Sequence, residues 1–312
     1  MPIHIGVDYT PGEWRVCTLD QGHPAQFRTV ATAGELLDAL NQVCALYPEP
    51  TIMLSLDVAM PLSALRTFSE EQLERLAQRY HPDPAFTEVR QVLSALQALS
   101  THSYCAPSVE YLPTIPLHRR LMRSLPGSAS ELCAVVTLLH HMRKQEASWP
   151  EMNFFYVHTS EQATCILVLK DGQVINGMST LQGLSLLAQR GYLGQRETLE
   201  GVEEGARQAM IQQALNEAFW EGLTQELAGL MAIHHSEDIV MLGQESDSLA
   251  ARLADLYQVY LFPHLQSESI GYEAALGAAL LAEGLDQEGL ASEVSAHLQI
   301  LQASSLTPTF DM

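Results

Sequence analysis

The feature that most constrains the fold is a pattern of three short strands joined by two tight turns, which occurs twice in the chain. The first copy begins at residue 3 and its apolar segments are 3–8, 14–19 and 26–30. The second begins at residue 154 and its segments are 154–158, 163–169 and 174–177. Turn residues such as Asp171-Gly172 separate the segments, as in antiparallel hairpins. Two such meanders predict two similar α/β units rather than one continuous sheet.

Helices and further strands follow each meander. Apolar residues at helical spacing predict a helix over 33–47, and the apolar run 51–56 predicts a strand that is buried on both faces. In the same half we expect helices over 69–100, interrupted at 81–84, and over 128–144, with 109–115 extended between prolines. In the second half we expect strands at 238–242 and 258–262, and helices near 183–190, 199–233, 248–257, 271–283 and 286–302.

The length of 312 residues is enough for two domains that each bury a core. A linker-like segment around Trp149-Pro150 lies between the two meanders. We therefore predict an N-terminal lobe with a helical insertion over 1–150 and a C-terminal lobe over 151–312.

The net charge limits the partners that the surface can bind. Sixteen Lys and Arg residues against thirty-seven Asp and Glu residues give a net charge of −21. Such a surface repels nucleic acids and anionic membranes, so neither is expected as a partner. No apolar run reaches the roughly 18–20 residues that span a bilayer, and the first residues lack the basic region of a signal peptide. We expect a cytoplasmic protein that binds a small-molecule substrate, and the apolar helices are compatible with a homodimer.

Five segments in a fixed order carry a resemblance to known proteins. They are Ile5-Gly6-Val7-Asp8-Tyr9-Thr10, Leu112-Pro113-Thr114-Ile115-Pro116, Gly127-Ser128-Ala129-Ser130-Glu131-Leu132-Cys133, Lys170-Asp171-Gly172-Gln173-Val174-Ile175-Asn176-Gly177 and Gly271-Tyr272-Glu273-Ala274-Ala275-Leu276-Gly277-Ala278-Ala279. With the order of predicted elements, they resemble the actin-like ATPase superfamily of acetate and sugar kinases, Hsp70 and actin. Within it, the chain looks like the family of predicted butyrate kinases called domain of unknown function 1464.

The resemblance implies a fold, two cofactors and a set of site residues. The implied fold is a pair of ribonuclease-H-like domains with mixed five-stranded sheets flanked by helices, and ATP with Mg²⁺ lies between them. Asp8 would organise the metal ion and take part in catalysis, because a hydrated hard cation needs a fixed carboxylate. The residues implied to contact the nucleotide are Tyr9, Thr10 and Gly12 in the first turn, Thr159 and Ser160 in the second, Gly243 and Gln244 in an adenosine segment, and Gly271 and Ala274 on a late helix. For Asp8 the alternative is an ordinary strand-end acid, and for the second turn an ordinary hairpin is favoured.

Asp57 is a candidate from its position alone. It follows the buried strand predicted at 51–56, and ligands gather beyond the carboxyl ends of such strands. There it could act as a general base that accepts a proton from a substrate hydroxyl. A solvated loop acid is the alternative.

Several residues depart from what the resemblance implies. Glu131 stands where the family has a lysine, although Ser128 and Glu131 also form the spacing of a helix capping box. Glu161, Gln244 and Glu245 place acidic or long side chains where phosphate or base would approach. Two hypotheses follow: an ATP-dependent small-molecule kinase with a carboxylate or a sugar hydroxyl as acceptor, or a degenerate, inactive member with a binding or regulatory role.

Overall fold

The structure is a computed structural model of the chain. It describes residues 3–10, 12–47, 49–78, 85–99, 102–122, 126–160, 163–181, 204–243, 246–264 and 267–303. The helix expected near 183–190 lies outside these residues.

The first sheet has the predicted meander at one side and parallel strands at the other. Its strands are β1 (Ile3–Thr10), β2 (Glu13–Asp20), β3 (His23–Val30), β4 (Thr51–Ser55), β5 (Ser63–Ala64) and β6 (His102–Cys105). They are arranged in the order β3-β2-β1-β4-β6-β5. The meander pairs antiparallel, whereas β4 is parallel to both β1 and β6.

The second sheet repeats this arrangement. Its strands are β7 (Phe154–Thr159), β8 (Ala163–Lys170), β9 (Gln173–Leu181), β10 (Asp238–Gly243) and β11 (Gln258–Leu261). Their order is β11-β10-β7-β8-β9. In the opposite direction, this order corresponds to β3-β2-β1-β4-β6 of the first sheet. The predicted duplicated ribonuclease-H-like fold is therefore confirmed, with the two-residue strand β5 added to the first sheet.

Helices connect and cover the strands. In the described residues they are α1 (Ala33–Leu46), α2 (Glu70–Gln78), α3 (Ala85–Ala98), α4 (Leu117–Met122), α5 (Ala129–Lys144), α6 (Glu204–His234), α7 (Ser246–Leu253), α8 (Glu273–Asp286) and α9 (Leu290–His297). The interruption predicted at 81–84 lies outside the described residues.

The sequence predicts that the segment 109–115 is extended, and this prediction is wrong. Val109–Tyr111 is a 3-10 helix, and the amides of Leu112 and Ile115 donate to the carbonyls three residues earlier. This period of three places Val109, Leu112 and Ile115 in the core, where all three are buried. The elements β5, β6 and α4 are not predicted from the sequence, because they are too short to show a period.

Apolar side chains divide the molecule into five layers. On β1, Ile3, Ile5 and Val7 face outward and pack with residues of α1 and α3. On β7, Phe155 and Val157 likewise face outward, toward α6 and α7. The inner faces of both sheets share one apolar cluster with α5 and α8. The layers are therefore helices, first sheet, two central helices, second sheet and helices.

Helix α8 lies deep between the sheets because small residues let its backbone approach its neighbours. It follows the second sheet in sequence but packs on β1, β2 and β4 of the first. A Cβ atom on Gly6 would overlap the backbone of Ala275 and Ala279, and one on Gly277 would overlap the carbonyl of Cys133 in α5. The first sheet thus contacts α8, and α8 contacts α5, each through a glycine that leaves no room for a Cβ atom.

Because α8 packs on the first sheet, the contacts between helices and sheets do not separate into two groups at residue 150. The predicted boundary between two domains at this residue stays a prediction. Across the described part of the chain, no helix is both long and apolar enough to cross a membrane.

The glycine contact between the central helices can be tested by a pair of substitutions. We expect Gly277→Ala to destabilise the protein by about 2–3 kcal/mol, because the added methyl overlaps the Cys133 backbone. Gly229→Ala in α6, where nothing lies within 4 Å of an added Cβ, should stabilise by up to about 1 kcal/mol. Urea unfolding of both variants measures the difference. Equal stabilities would contradict the packing described.

Candidate functional site

The carboxyl ends of the central strands of both sheets meet at one place. Asp8 on β1 lies beside Ser55 on β4, and Thr159 on β7 lies beside Gly243 on β10. The start of α5 joins these two edges, since Ser130 contacts the first sheet and Glu131 contacts the second. We call the space between the edges the cleft; Asp8, Asp57, Glu131 and His158 bound it.

Asp8 is the most enclosed acid of the cleft, with 3% of its surface exposed. Its Oδ1 accepts hydrogen bonds of 2.6 Å from the hydroxyls of Ser55 and Ser130. Burial raises the pKa of this carboxyl, and the nearby charge of Glu131 adds to the effect, while the two hydroxyls and Arg15 oppose it. Asp8 is therefore a fixed carboxylate whose charge is only partly compensated.

Asp57 lies at the centre of a tight turn directly after β4. The amide of Val58 donates to the carbonyl of Leu56 over 2.8 Å, so the turn closes around Asp57. Asp57 is exposed to solvent. Desolvation, followed by the charges of Glu131 and Asp8, raises its pKa to about 6. The position predicted for a general base is thus accessible and beside Asp8.

Glu131 joins α5 to the second sheet. It accepts hydrogen bonds from the amide and hydroxyl of Ser128, so the predicted capping box is present. Its Oε1 lies 3.7 Å from Nδ1 of His158 on β7. Burial alone would raise the pKa of Glu131, but His158 and the Ser128 amide outweigh it and hold the pKa below its ordinary value. Glu131 is consequently ionised and contributes a third negative charge to the cleft.

The first turn leaves backbone accessible. The ring of Tyr9 is buried against Trp14, with centroids 4.6 Å apart, and Thr10 Oγ1 donates to Glu13 over 3.4 Å. Gly12 is exposed and has a φ of +93°, which favours glycine. A phosphate could approach the backbone here without meeting a side chain at Gly12.

The second turn is closed by its own hydrogen bonds. Thr159 is buried, and Ser160 is bonded to Ala163 through both its amide and its hydroxyl. These hydrogen bonds are compatible with an ordinary hairpin, the favoured interpretation from sequence, and the nucleotide contacts predicted for Thr159 and Ser160 stay predictions. Glu161 lies outside the described residues.

Gly243 has a structural reason to be glycine. Its φ is +108°, and an added Cβ would overlap the carbonyl of Thr159 on the neighbouring strand. Its backbone is nevertheless exposed at the edge of the cleft. Gln244 and Glu245 lie outside the described residues, so the nucleotide contact predicted for Gln244 stays a prediction.

The start of α8 is tied to the first sheet. The carbonyl of Gly271 accepts a 2.6 Å hydrogen bond from Arg15 on β2, and its amide donates to Glu273 over 2.8 Å. Ala274 is partly buried against the central core. Arg15 on β2 lies opposite Asp8 on β1. Gly271 and Ala274 therefore lie near the edge of the first sheet that carries Asp8.

Sequence reasoning missed His158 and Tyr156. Both lie on the inner face of β7, and His158 occupies the place in β7 that Asp8 occupies in β1. Aligning the two meanders would have found it. The hydroxyl of Tyr156 is fully buried without a hydrogen-bond partner in the described structure, and burial raises its pKa well above the usual value, with Glu131 the next cause.

A cavity of about 550 Å³ lies elsewhere. Asn153, Lys170, His235 and Asp238 are among the residues that line it, and they stand where β7 and β10 begin. Open α/β sheets bind ligands at the opposite edge, where strands end. We therefore favour the carboxylate cleft as the candidate site.

The family described as "Protein of unknown function (DUF1464)" matches residues 39–309. None of the curated proteins matches the chain significantly in sequence.

Solved structures with similar folds cover most of the chain at low identity. An acetate kinase from Entamoeba histolytica is 9% identical, with a TM-score of 0.48 over 81% of this chain and 87% of its own. A ROK family glucokinase from Streptomyces griseus, in complex with glucose and AMPPNP, is 13% identical, with a TM-score of 0.46 and coverages of 90% and 99%. An activator of 2-hydroxyisocaproyl-CoA dehydratase from Clostridium difficile, with bound ADPNP, is 11% identical, with a TM-score of 0.42 and coverages of 95% and 97%.

The uncompensated charge of Asp8 predicts an effect on stability. Because the pKa of Asp8 is raised by folding, its ionised form opposes folding at neutral pH, and this penalty vanishes where the acid is protonated in both states. We expect Asp8→Asn to raise the free energy of unfolding at pH 7.5 by about 1 kcal/mol and to have no such effect near pH 3.

Denaturant unfolding at the two pH values measures this change, and the exposed Asp38→Asn is the matched control. A variant less stable than wild type at pH 7.5 would show that Asp8 is compensated in the folded protein.

Proposed function

The chain belongs to the DUF1464 family of proteins of unknown function, and from this premise we propose that it is an ATP-dependent small-molecule kinase. ATP with Mg²⁺ would bind in the cleft, between the strand ends of the two sheets. The observation that carries the proposal is the convergence of Asp8, Asp57 and Glu131 at the point where α5 joins both sheets.

The acids of the cleft suit a divalent cation. No group of three or more His, Cys, Asp or Glu side chains in the described residues has the arrangement of a metal site by itself. Mg²⁺, however, keeps several waters and is held by one or two carboxylates together with substrate phosphates. Burial first, and neighbouring acids second, raise the pKa of both Asp8 and Asp57, so a bound cation would stabilise their ionised forms. The donor set therefore fits Mg²⁺.

Each residue would have a distinct role. Asp8, held by two serine hydroxyls, would orient the hydrated cation. Bound Mg²⁺ would supply charge neutralisation at the transferring phosphoryl group. The backbone of Tyr9, Thr10 and Gly12 would face phosphate oxygens, with Thr159 and Ser160 on the opposite side.

The adenosine would lie nearer the second sheet and the start of α8. Gly243 and Gln244 would contact the base, and Gly271 and Ala274 would border the nucleotide. Asp57 would accept a proton during transfer. Location in the cytoplasm and a homodimeric state stay predictions.

A second function has its own supporting observation. Glu131 stands where the resembled family has a lysine, and it is held there by Ser128 and His158. A glutamate cannot neutralise a transferring phosphoryl group. A regulatory protein that binds a nucleotide but does not transfer phosphate has no need of that lysine, so Glu131 is compatible with such a function.

Isothermal titration calorimetry with Mg-ATP tests the proposed site. We expect wild-type protein to bind Mg-ATP with a micromolar Kd, and Asp8→Asn to weaken binding about tenfold or more, because the cation loses its fixed carboxylate. Asp38→Asn, on the exposed face of α1, should bind as wild type does.

No binding of ATP or ADP to wild-type protein at millimolar concentration would overturn the proposal. Binding without hydrolysis or transfer to any acceptor would favour the regulatory function instead.

A further inference from the structure

We infer that the chain has a second ligand site, separate from the cleft, which takes a small zwitterionic amino acid. The site is a cavity of about 230 Å³ bounded by the end of α5, the end of α8, the start of α9 and the turn at Gly22. We call it the α9 cavity. Its ligand does not depend on the proposed kinase function.

The α9 cavity lies at the far ends of the two central helices. Ser130, at the start of α5, contacts Asp8 in the cleft, whereas His140 and Lys144 of the same helix line the cavity. At about 1.5 Å per helical residue, His140 is roughly 15 Å along the axis from Ser130. A ligand in the α9 cavity therefore binds away from the acids of the cleft.

The unsatisfied imidazole of His140 points to a polar ligand. Only 9% of this residue is exposed, its ring lines the cavity, and its Nδ1 has no hydrogen-bond partner in the described structure. Burial, followed by the charges of Lys144 and His141, lowers its pKa to about 4, so the neutral ring can both donate and accept. Because buried polar groups are normally hydrogen-bonded, a ligand in the cavity would supply the missing partner.

The start of α9 can bind a carboxylate. The N-cap residue is Gly289, and in the described structure no side chain caps the amides of the first turn. Glu293, the acid of that turn, is bonded to Arg143 instead. Lys144 is exposed and lines the same cavity. Free amides at a helix N-terminus and a nearby ammonium group together favour an anionic group.

Two acids of the cavity favour a cationic group in the same ligand. Glu283 and Glu288 both line it. The Glu283 carboxylate lies against the turn between β2 and β3, since a Cβ atom on Gly22 would come within 2.9 Å of its Oε1. Inorganic phosphate would be repelled by both acids, whereas an ammonium group would pair with them.

Size and charge together define the ligand class. Pockets for drug-sized ligands have volumes of roughly 300–1,000 Å³, so the α9 cavity suits a smaller molecule. A free amino acid carries one carboxylate and one ammonium group on a small body. It matches the helix start and Lys144 on the one hand, and Glu283 and Glu288 on the other.

Binding to the full chain tests the site. The standard L-amino acids are screened at millimolar concentration by saturation-transfer NMR, and the strongest binder is titrated by calorimetry. We expect at least one amino acid to bind with a Kd below the millimolar range. Its N-acetyl derivative, which lacks the ammonium group, and its amide, which lacks the carboxylate, should each bind at least about tenfold more weakly.

Matched variants locate the bound amino acid. Lys144→Ala and Glu288→Gln change exposed residues of the α9 cavity and should each raise the Kd at least about fivefold. His140→Phe keeps a buried ring without its nitrogens and should weaken binding to a similar degree. Lys170→Ala and Glu237→Gln change residues of the larger cavity and should bind as wild type does.

Three results would overturn the inference. They are the absence of amino acid binding at millimolar concentration, tighter binding of inorganic phosphate than of any amino acid, and a loss of binding in Lys170→Ala but not in Lys144→Ala. Mg-ATP titrated into the same samples reports on the cleft, so failure of the proposed function is detected separately.

Discussion

The whole architecture depends on the close packing of α8 against the first sheet and against α5. Gly6 and Gly277 leave no room for a Cβ atom at these contacts, so backbone lies against backbone. Because the backbones are this close, the inner faces of both sheets pack in one apolar cluster, while the outer face of each sheet packs in a cluster of its own. The start of α5 can then contact both strand edges at once. Without this packing the two halves would have no common cleft.

The electrostatics of the cleft follow from the same geometry. Strand ends converge, so the acids that follow them converge as well, and serine hydroxyls or a histidine compensate only part of their charge. Burial, and next the neighbouring acids, raise the pKa of both Asp8 and Asp57, so at neutral pH their ionised forms oppose folding. Sites that store unfavourable charge in this way are typical of ligand-binding clefts.

Periodicity in the sequence was sufficient to predict the duplicated sheets, because the strands and turns of a meander are formed by residues that are close together in the chain. It was also sufficient to place Asp8 and Asp57 at strand ends. It failed for 109–115, where buried residues recur every three positions, and for β6, which is only four residues long. The crossing of α8 and the contact between Glu131 and His158 depend on residues far apart in the chain. No local pattern could predict them.

A crystal structure with Mg²⁺ and a non-hydrolysable ATP analogue tests the central claim most directly. We predict that the phosphates lie between the first turn and Gly243, with the cation beside Asp8. Density for the analogue in the cavity near His235 and Asp238, with an empty cleft, would contradict it.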